Sequence, residues 1–206
     1  DNISTLFKSN FVRIGSKAST HHDFLENLLD VQIKNFNKRN EIKSFIQNKR
    51  IFVSTVSSIL GKPEIFSLKS FETIIIDEAS QILEPMLCGL LSKGARTILI
   101  GDHKQLPAVV RQNKKSTKIS DEELLSCGFK DTSYSLFDRL FHQYKDNGWD
   151  HSYGILSEQG RMHINLQMFV DRHFYENQLA PLPTMGGQNS KTYLTSLHRK
   201  TDYLQN

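Results

Sequence analysis

The sequence predicts an α/β protein, a parallel sheet with helices on both faces. Three observations carry this. Short apolar runs rich in Ile, Val and Phe recur along the chain at strand length. Stretches with apolar residues at helical spacing lie between them. The runs break off into glycine or polar residues, and ligands of such sheets sit beyond the carboxyl ends of the strands.

In chain order, Phe11-Val12-Arg13-Ile14 is a strand ended by Gly15-Ser16. Residues 21–50 place Phe24, Leu25, Leu28, Leu29, Ile33 and Phe36 at helical spacing, giving one long helix or two. Ile51-Phe52-Val53 begins a second strand that ends at Ser54-Thr55, and Phe71 to Ile76 is a third. Ile82 to Leu91 reads as a helix, with Pro85 in the first turn, where its missing N–H does no harm. Thr97 to Ile100 is a fourth strand, stopped by Gly101. The polar, basic stretch 111–120 is a loop, and Asp121–Ser126 and Ser133–Tyr144 are helices. Tyr153 to Leu156 is a fifth strand and Ile164 to Phe174 a helix. The tail from Pro181 through Gly186-Gly187 is turn-rich and receives no element.

The 206 residues suffice for one large domain or one and a half small ones. With 38% hydrophobic and 23% charged residues, the composition excludes a disordered or collagen-like chain. A net charge of +4 permits a nucleic-acid partner without demanding one. The two cysteines, Cys88 and Cys127, form neither a metal-ligand spacing nor a disulfide framework. Cys88 lies in an apolar stretch and is expected to be a buried thiol in a reducing, intracellular compartment. No run approaches the roughly 18 apolar residues of a membrane span, so no membrane partner is expected. The first residues carry no apolar signal-peptide core and no initiator Met, which suggests a piece of a longer protein.

The residues after each strand carry the chemistry. Asp77-Glu78 follows Ile74-Ile75-Ile76, and two acids at the edge of a core are costly unless something uses them. One carboxylate can hold a hydrated Mg2+ while the other polarises a water for attack on a phosphoryl group. Taken alone, Glu78 also suits the cap of the next helix. Gly101 permits a tight turn close to a ligand. Asp102 and Gln105 would then point into the crevice of Asp77 and Glu78, where a glutamine can bond a terminal phosphate or the attacking water. A plain polar turn closed by Pro107 is the alternative. Thr55 and Ser57 follow a strand and can bond backbone phosphates of a nucleic acid. Pro107 and Val109 can lie against bases, and Arg111, Lys114, Lys115 and Lys118 can track phosphates or form a solvated basic loop.

DEASQ (Asp77–Gln81) followed by GDHKQLPAVV (Gly101–Val110) resembles the Walker B motif and motif III of superfamily-one helicases. The branch is that of the nonsense-mediated-decay RNA helicase and its DNA-acting relatives. SLFDRL (Ser135–Leu140) resembles the segment joining the two motor domains. EQGRMHINLQMFVDRHFYENQL (Glu158–Leu179) resembles motif IV and the helix after it. RIGS (Arg13–Ser16), VSTVSS (Val53–Ser58) and DNI (Asp1–Ile3) fit the segments from motif Ia to Walker B. The resemblance implies RecA-like folding, with residues 1–145 the latter part of a first motor domain and 146–206 the beginning of a second. Residues 21–50 would be a helical insertion, such as a stalk, over the nucleic-acid channel.

For function, the resemblance implies a motor driven by ATP and Mg2+ on single-stranded RNA or DNA, moving 5′ to 3′. Asp77 would organise Mg2+ and Glu78 would activate water. Gln105 would sense the γ-phosphate, and Gly101, Asp102 and Gln159 would lie on the nucleotide. Arg161 would reach the γ-phosphate, because a planar guanidinium neutralises charge developing there. His163 reads as structural.

Two departures matter. The phosphate-cradling loop G-x-x-x-x-G-K-[ST] is not in this sequence, so the chain by itself is expected to bind ATP poorly and to need the remaining motor-domain segments of its parent. Relatives commonly carry Gln-Tyr-Arg-Met-His where this chain has Gln159-Gly160-Arg161-Met162-His163. Gly160 removes a ring that would stack on adenine and leaves nucleotide preference open, whereas Arg161 keeps its role. Two competing readings are a helicase-like module that grips nucleic acid without turnover, and a nucleoside-triphosphatase switch sharing only the Walker B chemistry. The GDHKQLP and GRMH stretches weigh against the switch.

Overall fold

The computed structural model describes residues 11–113 and 115–182. DNI, Lys114 and Gly186-Gly187 lie outside the described residues. The chain divides into two compact units, Asp1–His142 and Gln143–Asn206.

In the first unit, β1 (Phe11–Ile14) pairs in parallel with β2 (Ile51–Ser54), Phe11 opposite Ile51. Parallel strands need a crossover between them. Residues 21–50 provide it as a 3-10 turn (His22–Asn27), α1 (Leu29–Gln32) and α2 (Arg39–Asn48). The helical spacing is therefore real but interrupted. Leu28 is extended (φ −59°, ψ 132°) and bridges Arg13 of β1, which ends the first turn. Glu41 accepts the Lys38 and Asn37 N–H groups at 3.3 and 3.1 Å and so starts α2 afresh. Leu29 and Ile46 join Val12, Ile14 and Ile65 in a buried cluster, so these two helices pack into the core.

After β2 come α3 (Val56–Leu60) and α4 (Glu64–Leu68). Next, β3 (Phe71–Ile76) pairs in parallel with β4 (Gly94–Leu99). The crossover is α5 (Glu84–Leu91), with Pro85 in its first turn. β4 starts three residues before the predicted Thr97 because Gly94 lets the strands close. A Cβ there would lie 2.8 Å from the Ile74 side chain. Ile76, Ala79, Leu87 and Leu136 form a second buried cluster, joined at its edge by Val56. Burying a side chain such as Leu87 stabilises by about 1.5–3 kcal/mol.

α6 (Glu122–Ser126) is capped by Asp121, whose Oδ1 accepts the Leu124 N–H at 3.0 Å. α7 (Leu136–Asp146) begins later than Ser133. Ser133 N–H is held by Asp131 Oδ1 at 2.8 Å, and Ser135 Oγ caps the helix by accepting from Asp138 N–H at 3.1 Å. Cys88, expected to be buried, lies on the exposed side of α5, and Cys127 is exposed as well. An apolar sequence context does not say which face of a helix a residue takes.

In the second unit, Tyr153–Leu156 forms no strand, and Ile155 and Leu156 are exposed. The ladder forms later, between β5 (Glu158–Gln159) and β6 (Ala180–Pro181), again parallel. Backbone bonds fix that register: Ala180 N–H to Ser157 O at 2.8 Å and Leu182 N–H to Gln159 O at 2.9 Å. α8 (Ile164–Phe174) crosses between them as predicted. The parallel strand pairs with helical crossovers are those of a RecA-like α/β fold.

Candidate functional site

The main-chain ladder between β3 and β4 continues past both strands. Ile100 N–H donates to Ile76 O at 2.8 Å, and Ala79 N–H donates to Ile100 O at 2.8 Å. The two strand-end turns are thus stitched together. Gly101 makes this possible: a Cβ there would lie 2.9 Å from Ser80 N and 3.3 Å from the Phe137 ring. Ser80, 3% exposed, then accepts the Asp102 N–H on its Oγ at 3.2 Å.

On the first turn, Asp77 Oδ1 accepts the Glu78 N–H at 3.0 Å. Glu78 is left-handed, with φ 53° and ψ 36°. Such a conformation is unfavourable for a side chain larger than Asn and points to a functional constraint. Glu78 holds the N-cap position of the short helical turn Ala79–Gln81, but its carboxylate makes no cap bond there. It instead accepts from Gln81 Nε2 at 3.4 Å.

On the second turn, the Asp102 carboxylate accepts the Lys104 N–H and the Gln105 Nε2–H, each at 2.9 Å. Gln105 is exposed at the lip of this turn. His103 stacks on Phe141 of α7, ring centroids 4.3 Å apart. Burial, with Lys104 adding to it, holds the His103 imidazole below its ordinary pKa. Beyond the turn, Pro107 is exposed, and Leu106 and Val109 are 84% and 86% exposed, an apolar ledge.

Thr55 caps α3, its Oγ1 accepting the Ser58 N–H at 3.2 Å, and Ser57 is exposed in the first turn. Val56 between them packs on the core that carries Ile76, so one core supports both segments. The first unit therefore brings together Asp77, Glu78, Gly101, Asp102 and Gln105.

Gln159 and Arg161 belong to the second unit. Gln159 Oε1 accepts the Arg161 and Met162 N–H groups at 3.0 and 2.8 Å, while its Nε2 donates to Met162 O at 3.2 Å. This amide folds the turn that presents Arg161, whose residue is exposed. His163 has the structural role expected of it: its Nδ1 caps α8 by accepting the Asn165 N–H at 3.2 Å.

Asp77 and Glu78 offer exposed hard oxygen donors and no three-ligand cage. That fits Mg2+, which takes one or two carboxylates and keeps its waters and phosphate ligands. Among the described residues, the cluster with metal-ligand spacing is instead His21, His22 and Asp23, all exposed. The sequence did not announce Ser80, nor the pair of Arg139 with buried Glu84, 2.8 and 2.5 Å, which ties α7 to α5. Small polar residues and lone charges give no signal until their partners are known.

A family model described as an AAA domain matches residues 16–113. That span holds Thr55, Ser57, Asp77, Glu78, Gly101, Asp102, Gln105, Pro107 and Val109. The chain is 31% identical over 178 residues to the bovine DNA replication ATP-dependent helicase/nuclease DNA2, covering 84% of this chain and 15% of that protein. It is 35% identical over 178 residues to the human DNA2, with the same 84% and 15%. It is 32% identical over 146 residues to the uncharacterized ATP-dependent helicase MJ0104 of Methanocaldococcus jannaschii, covering 69% of this chain and 19% of that protein. The chain thus spans under a fifth of the length of these relatives. No helix among the described residues is long and apolar enough to cross a membrane. The strand-end turns of a RecA-like unit, the AAA-domain match and these relatives together support a superfamily-one helicase-like chain.

Proposed function

We propose that this chain is part of a nucleic-acid-dependent ATPase motor that couples ATP hydrolysis to movement on, or unwinding of, single-stranded nucleic acid. The observation that carries this is the pair of stitched turns, which sets Asp77-Glu78 beside Asp102-Gln105 on one rigid strand pair. Asp77 holds Mg2+, which, when bound, neutralises phosphate charge. Glu78 takes the proton of the attacking water. Gln105 bonds the terminal phosphate, and Asp102 orients its amide. Arg161 offsets charge that develops on the phosphate. Thr55 and Ser57 at the α3 N-terminus, with the ledge of Pro107 and Val109, hold the strand by its phosphates and base faces.

The remaining motor segments of the parent protein complete the motor. Ile75 and Ile98 sit opposite each other on β3 and β4 and are 63% and 42% exposed. Strands of parallel sheets are normally covered on both faces. We take residues 1–145 and 146–206 as parts of two successive motor domains, working in an intracellular setting.

The test is ATP hydrolysis by the full-length protein, with and without single-stranded DNA or RNA. DNA comes first, because the DNA2 relatives are named for DNA replication. Stimulation by one of the two names the substrate. Strand binding without hydrolysis would replace the motor with a binding module.

A further inference from the structure

α8 carries two buried polar side chains one turn apart, Gln167 at 2% and Asp171 at 9% exposed. Their neighbours on the helix, Leu166, Met168 and Phe169, are exposed at 51%, 64% and 60%. The helix thus turns polar groups inward and apolar groups outward, the reverse of an ordinary surface helix. A buried amide is costly unless it is hydrogen-bonded on both ends. Gln167 meets that condition. Its Oε1 accepts a short bond from Gln159 Nε2, and its Nε2 donates to Leu179 O at 3.0 Å. Asp171 Oδ1 accepts the Leu179 N–H at 3.0 Å. These contacts join the end of β5, the middle of α8 and the approach to β6.

The other end of Gln159 faces the Arg161 turn. Its carbonyl oxygen accepts both the Arg161 and the Met162 N–H groups. A single amide therefore links the buried Gln167 to the Arg161 turn, which it also holds through Nε2 donating to Met162 O at 3.2 Å. A terminal amide has a broad side-chain torsion and would swing in solvent. Its bond to Gln167, a partner locked in the core, adds to its bonds within the turn and ties the amide to the interior.

We propose that Gln167 is a positioning residue for Arg161, acting through the Gln159 amide, so that the arginine is presented ready-oriented. The proposal rests on the role given above to Arg161 and deepens it. It assigns Gln159 to the arginine turn and away from direct nucleotide contact. Preorganised charge acts more strongly on a transition state than charge that must first be ordered, and a misplacement of about 1 Å can cost up to about a hundredfold.

The experiment uses the full-length protein and two substitutions. Gln167→Met keeps the length and packing of the side chain but makes neither bond. Gln159→Met removes the relay at a less buried position, and serves if the first variant folds poorly. Steady-state ATP hydrolysis with saturating single-stranded DNA or RNA is measured for each, alone and combined with Arg161→Ala. Hydrogen exchange of the Arg161 and Met162 amides is measured in parallel. The expected result is a kcat about tenfold lower in each variant, with KM for ATP changed less than about twofold. Neither substitution lowers kcat further in the Arg161→Ala background. Arg161 and Met162 amides exchange at least about tenfold faster, while α8 amides keep their protection. A further loss on top of Arg161→Ala, or unchanged exchange at both amides, overturns the proposal. If wild type shows no hydrolysis at all, the motor reading fails separately, and the amide exchange alone decides whether Gln167 orders the Arg161 turn.

Discussion

Replacing Glu78 by glycine should stabilise the protein while destroying its turnover. Glu78 sits at φ 53°, ψ 36°. Holding a non-glycine residue in the left-handed region costs about 1–2 kcal/mol. Glycine removes that cost but gives back about 0.5–1 kcal/mol through its freer unfolded chain. The lost side chain contributes little, since Glu78 is exposed and its bond to Gln81 is long at 3.4 Å. The net gain is about 0.5–1 kcal/mol. With a urea slope of about 2 kcal/mol/M, the unfolding midpoint rises by about 0.3–0.5 M. On the proposed role of Glu78 as general base, its loss lowers ATP turnover by about a hundredfold or more. Glu78→Gln separates the two effects: it keeps the backbone cost, leaves the midpoint unchanged and still loses turnover. Urea unfolding by circular dichroism and a phosphate-release assay on the full-length protein read both quantities. A Glu78→Gly midpoint lower than wild type would refute the strain argument, and retained turnover would refute the role of the carboxylate.

Other outcomes follow from the same geometry. Gly101→Ala drives a methyl to 2.9 Å from Ser80 N, so the turns must part, with a loss of about 1–3 kcal/mol and reduced turnover; wild-type behaviour in both would show that the close approach is dispensable. Arg139→Met strands a Glu84 carboxylate that is 6% exposed and should cost about 3 kcal/mol, whereas Glu84→Gln leaves an arginine 21% exposed, able to reach water, and should cost less. The reverse order in urea unfolding would contradict the pairing. His103 has a folded-state pKa below its ordinary 6.5, so the unfolded chain takes up the proton first. Stability therefore falls as pH drops through that value toward the lower folded one, and His103→Phe, which keeps the stack on Phe141, flattens the pH dependence of the urea midpoint between pH 7 and 5. An unchanged slope in the variant would dismiss His103 as its source.

The elements that were legible from the sequence are those set by local pattern. Phe71–Ile76 and Ile164–Phe174 appear at their predicted limits because apolar periodicity and capping residues act within a few positions. The acids after Ile76 and the turn at Gly101 stood out because polar groups at a strand end have no packing reason to be there. What escaped depends on distant partners. Nothing in Tyr153–Leu156 says that the pairing falls instead at Glu158–Gln159, because register is fixed by bonds to residues some twenty positions on. The crossover at 21–50 breaks at Leu28 because β1 captures that residue. Ser80, Arg139 and Gln167 are ordinary polar residues in sequence. Only burial, together with a specific partner, makes each of them informative.

In the proposed function, the acids closing β3 drive ATP hydrolysis and Arg161 assists. The most direct measurement is the rate of ATP hydrolysis by the full-length protein with saturating single-stranded DNA or RNA, for wild type, Glu78→Gln and Arg161→Ala, alongside strand affinity. Robust wild-type turnover is expected, with a loss of about a hundredfold or more in each variant and strand binding retained in both. Equal turnover in all three proteins would contradict this and place the hydrolysis elsewhere.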